Sequence, residues 1–539
     1  MRTVHRYLLA VAVSGLYLGS AAAQTNPCPT RPSPGTVVNN PLDLVSQNGV
    51  LTAAFTLKSY YPVGSFLQEC YIYQENSTTA VEAPTLRLNP GDKLDLSFTN
   101  RLSYLPPPPL NLPAKAKDMS NMPGRGTPND PCTGGTMVAT STNIHFHGLN
   151  IPPKCHEDEI VNTDIENTDP PFEYKFTIPS NDSPGMYWYH PHLHGVVTLQ
   201  VNGGATGALI IGGMEKIKPQ VAGLPERVFV IRQQFLNPNS WLPGPYQLTL
   251  NYEPADFPTF PSPILKMKPG AKEFWRVVNS TTQGFLNLQF RVGGTAQTVE
   301  IVALDGIPVQ TKEEVTTVAI PPAGRAEFII TGPAAGQSAS FWQAGFNTGP
   351  IGNPNIEQQL AVVQTSADAV EPPAMPAAPP PGTALPPQRF PALSTVAPTA
   401  TRKLYFAEAT NGSNGPTEFF ITVDGQTPKV FNGNDPPNIV TKVGAVEDWT
   451  VENRTGETHA FHIHQIHFLF MDTNGEANPY QDLRDTVIVP AWSGTGPYSS
   501  VKLRMDFRDP DIAGTFVYHC HILDHEDAGM MAIIQVNPK

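Results

Sequence analysis

The chain is short of charged residues, and of basic residues in particular. Only 15% of its 539 residues are charged, and 34 Lys and Arg face 47 Asp and Glu, which gives a formal net charge of −13. Soluble domains usually carry about a quarter charged residues. A surface that binds nucleic-acid phosphates has to be basic, and this balance does not supply one. We therefore expect no nucleic-acid partner.

Long hydrophobic runs are lacking as well. The apolar stretch Tyr7–Gly19 holds about 13 residues, fewer than the roughly 20 that span a bilayer, so we expect no membrane span. Arg2 and Arg6 precede this stretch and the small residues Ala21–Ala23 follow it, which is typical of a secretory signal peptide. We predict that residues 1–23 are a signal peptide cleaved near Ala23, and that the mature protein is exported to the periplasm or secreted.

Cysteine is scarce, with five residues in the whole chain. An oxidising compartment would allow the first four to form two disulfides, with three possible connectivities. We favour Cys132–Cys155, which would close a short loop around a histidine motif, together with Cys28–Cys70. Cys520 then remains as an unpaired thiol in an exported protein, and it needs a chemical reason.

Proline and glycine, by contrast, are abundant, with 58 and 43 residues. This composition disfavours long helices and favours short strands joined by turns. One pattern occurs three times, as LRLNPGDKLDLSFTN (Leu86–Asn100), ILKMKPGAKEFWRVVN (Ile264–Asn279) and IVTKVGAVEDWTVEN (Ile439–Asn453). Apolar alternation on both sides of a glycine turn is typical of half-buried antiparallel strands. The repeats predict three homologous β-domains.

A second repeat supports three domains and sets their limits. Gly185–His190 and Gly514–His519 both run from glycine to histidine along an aromatic strand, and a degenerate copy lies near Ser340–Trp342. We predict domain 1 at 24–213, domain 2 at 214–364, a proline-rich linker at 365–400 that runs extended over the surface, and domain 3 at 401–539. A β-sandwich in each domain is the expected architecture.

The histidines are clustered. Apart from His5, they fall into four groups, and none lies between His194 and His459. Each group contains an H-x-H pair, whose side chains would point to the same side of a strand. Burying eight neutral imidazoles as core residues would be costly, whereas metal coordination removes that cost. A single pair could equally be a hydrogen-bonded core histidine; four matched pairs indicate a metal site. The pairs are His145/His147, His190/His192, His462/His464 and His519/His521.

The last cluster indicates which metal is bound. Cys520 is followed by His525 and Met530, and His459 lies upstream. One thiolate, two imidazoles and a weak thioether are the ligand set of a blue-copper electron-transfer centre. Cys520 also lies between His519 and His521, so such a centre would be one residue away from the histidine site. Zinc is the competing interpretation, but it has no redox chemistry.

These residues resemble the four copper-binding motifs of the multicopper oxidases, the laccase-like family. The resemblance implies an all-β fold of three cupredoxin-like Greek-key sandwiches, with a trinuclear copper cluster between domains 1 and 3. It implies four copper ions in all. Type 1 copper would be held by His459, Cys520 and His525 with Met530 axial, type 2 copper by His145 and His462, and the type 3 pair by His147, His190, His192, His464, His519 and His521.

The resemblance also implies an activity. A reducing substrate, most simply a phenol or an aromatic amine, would undergo four one-electron oxidations, and electrons would pass through Cys520 to reduce O2 to two waters. The alternatives are a metal-ion oxidase acting on Cu(I) or Mn(II), a bilirubin-type oxidase, and a non-catalytic copper-binding scaffold. The 12 methionines are spread over the chain rather than grouped in an insertion, which disfavours Cu(I).

Reduction of O2 also needs protons, which carboxylates usually relay. Glu526 matches a family acid next to the motif of the fourth cluster. In domain 1 the family has an acid after the first motif, where this chain offers Glu157 or Asp158, and we prefer Asp158. Both acids could instead be solvated loop residues. The remaining histidines exceed the ligand count, and we expect them to lie behind the ligands or on the surface: His156, His194 and His467.

Overall fold

The structure is a computed structural model of the protein. It describes residues 25–60, 67–104, 130–133, 137–234, 247–255, 257–380, 382–385, 387, 389–410 and 417–539. The predicted signal peptide, residues 1–23, lies outside the described residues.

Ten strands in the described residues between 43 and 211 form two five-stranded sheets. They are β1 (Asp43–Val45), β2 (Val50–Tyr60), β3 (Gln68–Gln74), β4 (Ala80–Glu82), β5 (Thr85–Leu88), β6 (Lys93–Arg101), β7 (His145–His147), β8 (Phe172–Thr177), β9 (Gly185–His190) and β10 (Gly207–Ile211). The sheet orders are β1-β5-β10-β9-β7 and β4-β3-β2-β6-β8. Phe55 of β2 and Leu209 of β10 share one core cluster, so the sheets pack face to face as a sandwich.

A second sandwich lies between residues 226 and 365. Its strands are β11 (Glu226–Gln233), β12 (Leu248–Leu250), β13 (Glu253–Pro254), β14 (Ile264–Met267), β15 (Lys272–Ser280), β16 (Leu286–Val292), β17 (Thr295–Ala296), β18 (Val299–Leu304), β19 (Ile307–Val315), β20 (Val318–Ile320), β21 (Arg325–Thr331), β22 (Ala339–Phe346) and β23 (Asn355–Thr365). The sheet orders are β13-β12-β11-β15-β21-β18-β19 and β14-β23-β22-β16-β17, with β20 beside β16. Trp275 of β15 and Phe341 of β22 lie in their shared core.

The third sandwich lies between residues 400 and 537. Its strands are β24 (Ala400–Thr410), β25 (Thr417–Val423), β26 (Ile439–Lys442), β27 (Ala445–Asn453), β28 (His459–Ile463), β29 (Phe468–Thr473), β30 (Glu476–Ala477), β31 (Leu483–Arg484), β32 (Thr486–Val489), β33 (Ser499–Phe507), β34 (Gly514–Cys520) and β35 (Met531–Asn537). The sheet orders are β25-β24-β27-β33-β29-β30, with β31 beside β29, and β26-β35-β34-β28-β32. The domain boundaries inferred from the repeats stay a prediction.

Helices in the described part of the chain are few and short. They are α1 (Val197–Gly203), α2 (Met214–Ile217), α3 (Leu523–Asp527) and the 3-10 turns Pro131–Thr133, Pro219–Val221, Leu393–Thr395 and Pro510–Ile512. Among these residues, none of the helices has the length and apolar character needed to cross a membrane.

The threefold repeat occupies the same place in each sandwich. Its glycine has a positive φ in all three copies, 91° at Gly91, 69° at Gly270 and 96° at Gly444. Its final asparagine is buried, and the side chain donates to backbone carbonyls of a following loop, as Asn100 does to Ile165 (2.7 Å). The expectation of two antiparallel strands joined by the turn is wrong in one respect. The turn crosses from one layer to the other, so the strands on either side of it belong to opposite sheets and do not pair with each other. Within its own sheet each of these strands pairs in parallel with a neighbour, as β5 does with β10 and β6 with β2.

Both favoured disulfides are present, Cys28–Cys70 and Cys132–Cys155, and Cys520 is a buried free thiol. The described residues of the proline-rich segment between β23 and β24 are mostly exposed, and the C-terminal end of the segment is anchored. Arg389 there is buried and lies 3.0 Å from Asp182 and 2.8 Å from Asp509.

Glu69 on β3 carries a fully buried carboxyl group whose pKa lies far above the ordinary value. Its Oε1 accepts a 2.5 Å hydrogen bond from the Tyr104 hydroxyl, and burial raises the pKa of Glu69 to about 8. The folded chain therefore holds this proton more tightly than the unfolded chain, so the associated stability is lost as pH rises from about 4.5 through about 8.

The variant Glu69→Gln should remove this pH dependence, because an amide of the same shape carries no charge. At about 1.4 kcal/mol per pKa unit, we expect it to be more stable than the unsubstituted protein by roughly 3–5 kcal/mol at pH 9 and nearly equal to it at pH 5. Urea denaturation of both proteins at both pH values measures this. Parallel stability curves for the two proteins would show that Glu69 does not titrate in this way.

Candidate metal centres

The four H-x-H pairs lie at adjoining strand ends of the first and third sandwiches. In the first, β7 pairs antiparallel with β9, and His145 is directly opposite His190. In the third, β28 pairs with β34, and His462 is opposite His519. Because neighbouring strands present their paired residues together, each sandwich gathers its histidines at one edge. The middle sandwich contributes no histidine, in line with the sequence.

The ligand atoms meet in four buried groups. All eleven histidine and cysteine residues predicted as ligands belong to these groups, within which the ligand atoms lie no more than 4.8 Å apart. The groups are His145/His147/His462, His147/His190/His521, His192/His464/His519 and His459/Cys520/His525. Three of the four groups combine residues of the first sandwich with residues of the third, so these groups exist only in the folded chain.

The group His192, His464 and His519 shows most directly that these residues fit a metal ion. The Nε2 atom of His192 lies 3.2 Å from Nε2 of His519, and Nε2 of His464 lies 3.2 Å from each of the other two. Three ring nitrogens facing one point cannot all be satisfied by one another, because a neutral imidazole has only one donor. A single cation among them would satisfy all three lone pairs.

The other imidazoles of the cluster also direct one ring nitrogen into the cluster. Nδ1 of His145 bonds to a carboxylate and Nδ1 of His462 to a backbone carbonyl, while both Nε2 atoms are buried without a hydrogen-bond partner among the described residues. Inward nitrogens of His147, His190 and His521 are equally unpartnered there. Buried polar atoms are normally hydrogen-bonded, so this concentration of exceptions fits a bound metal.

Burial disfavours the charged form of six of the eight imidazoles. It lowers the pKa of His192 to about 3, although Glu526 beside it opposes the shift. Burial and the neighbouring imidazoles lower the pKa of several others well below the usual value, namely His147, His190, His462, His464 and His521. Neutral imidazole is the form that binds metals, so the site is prepared for coordination at neutral pH.

The Cys520 group lies at the end of β34, one residue from the cluster. Sγ of Cys520 is 3.5 Å from Nδ1 of His459 and 4.0 Å from Nδ1 of His525, and these two nitrogens are 3.3 Å apart. Burial raises the pKa of the Cys520 thiol, so a thiolate here needs a cation for its stability. Met530 is fully buried in the same core cluster, and its carbonyl accepts from the Cys520 amide at 3.0 Å.

Cys520 joins the two sites covalently. His519 and His521 belong to two different groups of the histidine cluster, and Nδ1 of His519 also bonds to the Cys520 carbonyl at 3.0 Å. A redox metal bound at Sγ of Cys520 would thus be connected to the cluster through two short covalent paths and one hydrogen bond.

Sequence reasoning missed the residues around the outer edges of the Cys520 group. Nε2 of His525 lies 3.1 Å from Oε1 of Glu457, and the Phe419 ring stacks on the same imidazole with centroids 4.1 Å apart. Burial and the adjacent Glu408 raise the pKa of Glu457 to about 8. Thr455 bonds to Nε2 of His459 at 2.8 Å. Glu457 and Thr455 precede the third motif closely, but nothing in their identity indicates this contact.

The two predicted acids both lie against cluster histidines. Asp158 is buried, with Oδ1 2.9 Å from Nδ1 of His145, whereas Glu157 is partly exposed. Glu526 is fully buried on α3, and its carboxylate oxygens lie 3.1 Å from Nδ1 of His519 and 3.5 Å from Nδ1 of His192. Burial opposes the charge of Glu526, but these imidazoles outweigh it and lower the pKa of the carboxyl group.

The three surplus histidines lie outside the four groups. His156 is exposed and bonds to the Glu173 carbonyl at 2.7 Å. His194 packs edge-on against the Phe431 ring. His467 is buried behind the cluster, with Nε2 2.9 Å from the Asp305 carbonyl.

The middle sandwich supports the cluster without supplying a ligand. Arg325 of β21 forms a bidentate ion pair with Asp485, at 2.7 and 2.5 Å. Oδ1 of Asp485 also lies 3.4 Å from Nε2 of His147, and the side chains of all three residues are fully buried. Bidentate pairing fixes the carboxylate in direction as well as in place. Neither Arg325 nor Asp485 is marked by any local pattern in the sequence.

The chain thus has consecutive β-sandwiches and a buried group of one cysteine and two histidines next to a cluster of eight imidazoles. This combination is typical of copper-containing oxidoreductases. Multicopper oxidase family models match residues 136–216, 230–367 and 400–539. The chain belongs to the multicopper oxidases, an enzyme family whose metal is copper.

Named relatives agree with this assignment. The chain is 23% identical to a multicopper oxidase of Staphylococcus haemolyticus, over 84% of this chain and 81% of that protein. It is 24% identical to a laccase of Bacillus subtilis, over 72% and 78%. Among solved structures, a multicopper oxidase of Campylobacter jejuni described as a metallo-oxidase aligns with a TM-score of 0.66 and 24% identity, over 94% of this chain and 96% of that one. The predicted cupredoxin-type, all-β fold is confirmed.

Proposed function

We propose that this protein is a laccase-like oxidase that couples four one-electron oxidations of a small reducing substrate to the reduction of O2 to two waters. Phenols and aromatic amines are the first candidates for the substrate. The observation that carries the proposal is the convergence of all eleven histidine and cysteine candidates into four buried groups. A non-catalytic scaffold is disfavoured, because such a protein has no need to keep every ligand position filled.

The ligand sets that the family resemblance implies are compatible with these groups. His459, Cys520 and His525, with Met530 beside them, would hold type 1 copper. His145 and His462 would hold type 2 copper, and the type 3 pair would be held by His147, His190, His521 and by His192, His464, His519. Bound copper supplies reversible one-electron chemistry and a place for O2 to be reduced, with four ions in total.

The protein's own groups would provide electron entry and protons. By the family resemblance, a substrate would meet the outer edge of His525, beside Glu457 and Phe419, since Nδ1 of this imidazole faces Sγ of Cys520. Glu526 and Asp158 touch cluster imidazoles and would hold protons for the water that forms.

One observation favours a metal-ion oxidase as the second candidate. Glu457 and Glu408 share a hydrogen bond beside the two histidines of the Cys520 group, and two carboxyl groups would attract a cation such as Mn(II). The stacked Phe419 ring, in contrast, favours aromatic substrates.

The cellular location is also a proposal. We infer export after cleavage near Ala23, to the periplasm or the exterior, because the two disulfides suit an oxidising compartment.

Oxygen uptake by the copper-loaded protein, measured against phenols, aromatic amines, Mn(II), Cu(I) and bilirubin, tests the proposal. We expect uptake with phenols or aromatic amines at the highest kcat/KM. A higher kcat/KM with Mn(II) or Cu(I) would show that the protein is a metal-ion oxidase, the second candidate, and not an oxidase of phenols or aromatic amines. Uptake with none of these reductants, despite full copper loading, would favour the scaffold.

A further inference from the structure

Gln465 has a backbone conformation that glutamine rarely adopts. It lies inside the third histidine motif, one residue after His464, with a φ of 58° in the left-handed region. Glycine and, to a lesser degree, asparagine tolerate this conformation, while other side chains are strained in it. Its carbonyl accepts a 2.8 Å bond from Nδ2 of Asn150 in the first sandwich. The backbone alone would be better served by glycine, so the side chain has to explain the glutamine.

The side chain of Gln465 reaches across the interface to Asp158. Its Nε2 lies 2.6 Å from Oδ2 of Asp158, and a carboxylate can only accept, so the amide nitrogen faces it. The amide oxygen is buried without a hydrogen-bond partner among the described residues. Gln465 therefore keeps its bond to Asp158 even though its own Oε1 is left unsatisfied.

Asp158 in turn controls one imidazole. Its two oxygens lie 2.9 and 3.0 Å from Nδ1 of His145, and Oδ1 also accepts from the Phe146 amide at 2.9 Å. A proton on Nδ1 leaves the lone pair on Nε2 of His145, which faces into the cluster without a partner in the described structure. The orientation of this imidazole thus depends on where the carboxylate is held.

We propose that Gln465 is a positioning residue, which holds Asp158 against His145 and so keeps the Nε2 atom of His145 directed at the type 2 copper site. This inference rests on the proposed function. Groups that orient a metal-bound histidine typically change metal affinity or activity by about 10–100-fold when removed. Gln465 belongs to the third sandwich and Asp158 to the first, so the bond also fixes the two halves of the site relative to each other.

Two variants separate this role from a purely structural one. Gln465→Gly relieves the left-handed backbone and removes the amide; Gln465→Asn suits the same backbone but has an amide one methylene too short to reach Asp158. In the full-length, copper-loaded protein we expect both variants to alter or lose the EPR signal of type 2 copper. We also expect turnover at least about tenfold lower, with the blue absorption unchanged and, for Gln465→Gly, a melting temperature no lower than that of the unsubstituted protein.

Asn150→Ala is the matched control. It removes the other cross-interface bond to Gln465 while leaving the Asp158 contact in place, so it should lower the melting temperature and leave the type 2 signal intact. A normal type 2 signal in both Gln465 variants would overturn the proposal. So would an equal disturbance in Asn150→Ala, or a loss of the blue absorption together with the type 2 signal. An unsubstituted protein that binds no type 2 copper would overturn the proposed function itself, and this inference with it.

Discussion

Replacing Cys520 with serine should abolish the blue absorption and reduce substrate oxidation to background. Cys520 is the free cysteine of the chain, and its Sγ is the sulfur that faces Nδ1 of both His459 and His525. A serine hydroxyl does not supply the thiolate ligand of a blue-copper centre, so the backbone route to His519 and His521 loses the sulfur that would connect it to the copper. Absorption spectra, copper analysis and oxygen uptake of the copper-loaded variant measure the effect. We expect about three coppers per chain where the unsubstituted protein has about four.

The same variant contains its own control. The histidine cluster does not include Cys520, so the EPR signal of type 2 copper should persist in Cys520→Ser. Retention of blue colour or of substrate oxidation would contradict the assignment of Cys520. Loss of all copper would show that the substitution disturbs the fold and not only the type 1 site.

The second large effect is expected at Glu526. The variant Glu526→Gln keeps the shape of a buried side chain that lies 3.1 Å from Nδ1 of His519, but it can no longer take up and release a proton. General acid–base groups contribute roughly 100-fold or more, so we expect turnover at saturating O2 and reductant to fall by about 100-fold. Stopped-flow measurement should show normal reduction of the blue centre by substrate and slow reoxidation by O2.

Asp527→Asn is the matched control for Glu526→Gln. Asp527 is the next residue on α3 and is also buried, but its carboxylate accepts from backbone amides at the start of α1, including Gly195 at 2.7 Å and Thr198 at 2.9 Å. This variant should be less stable yet reoxidise at a normal rate. Equal reoxidation rates in Glu526→Gln and the unsubstituted protein would remove Glu526 from the proton relay.

Local patterns predicted which candidate side chains lie together, for a physical reason. An H-x-H pair on a strand places both imidazoles on one face, so the spacing already contains the geometry of His145 with His147. Cys520 between two histidines, with His525 five residues later, likewise lies within one strand and the short helix after it. The disulfide Cys132–Cys155 followed from its proximity to a motif. Each of these features depends on neighbours in sequence.

Sequence reasoning missed two contacts between distant segments that hold the site in place. Gln465 and its partner Asp158 are 307 residues apart, and Arg325 and Asp485 are 160 apart. Glutamine and arginine are common residues, and no spacing rule relates them to partners in another sandwich. The placement of each repeat's two strands in opposite sheets was missed for the same reason, since alternation reports which face of a strand is buried and not which strand is its neighbour.

The ratio of substrate oxidised to O2 consumed tests the central claim most directly. Copper-loaded protein should consume one O2 for about four one-electron equivalents of a phenolic substrate, and no hydrogen peroxide should accumulate, because the Cys520 group is joined covalently to the histidine cluster. A ratio near two with accumulating peroxide, or substrate oxidation without oxygen uptake, would contradict a four-electron oxidase.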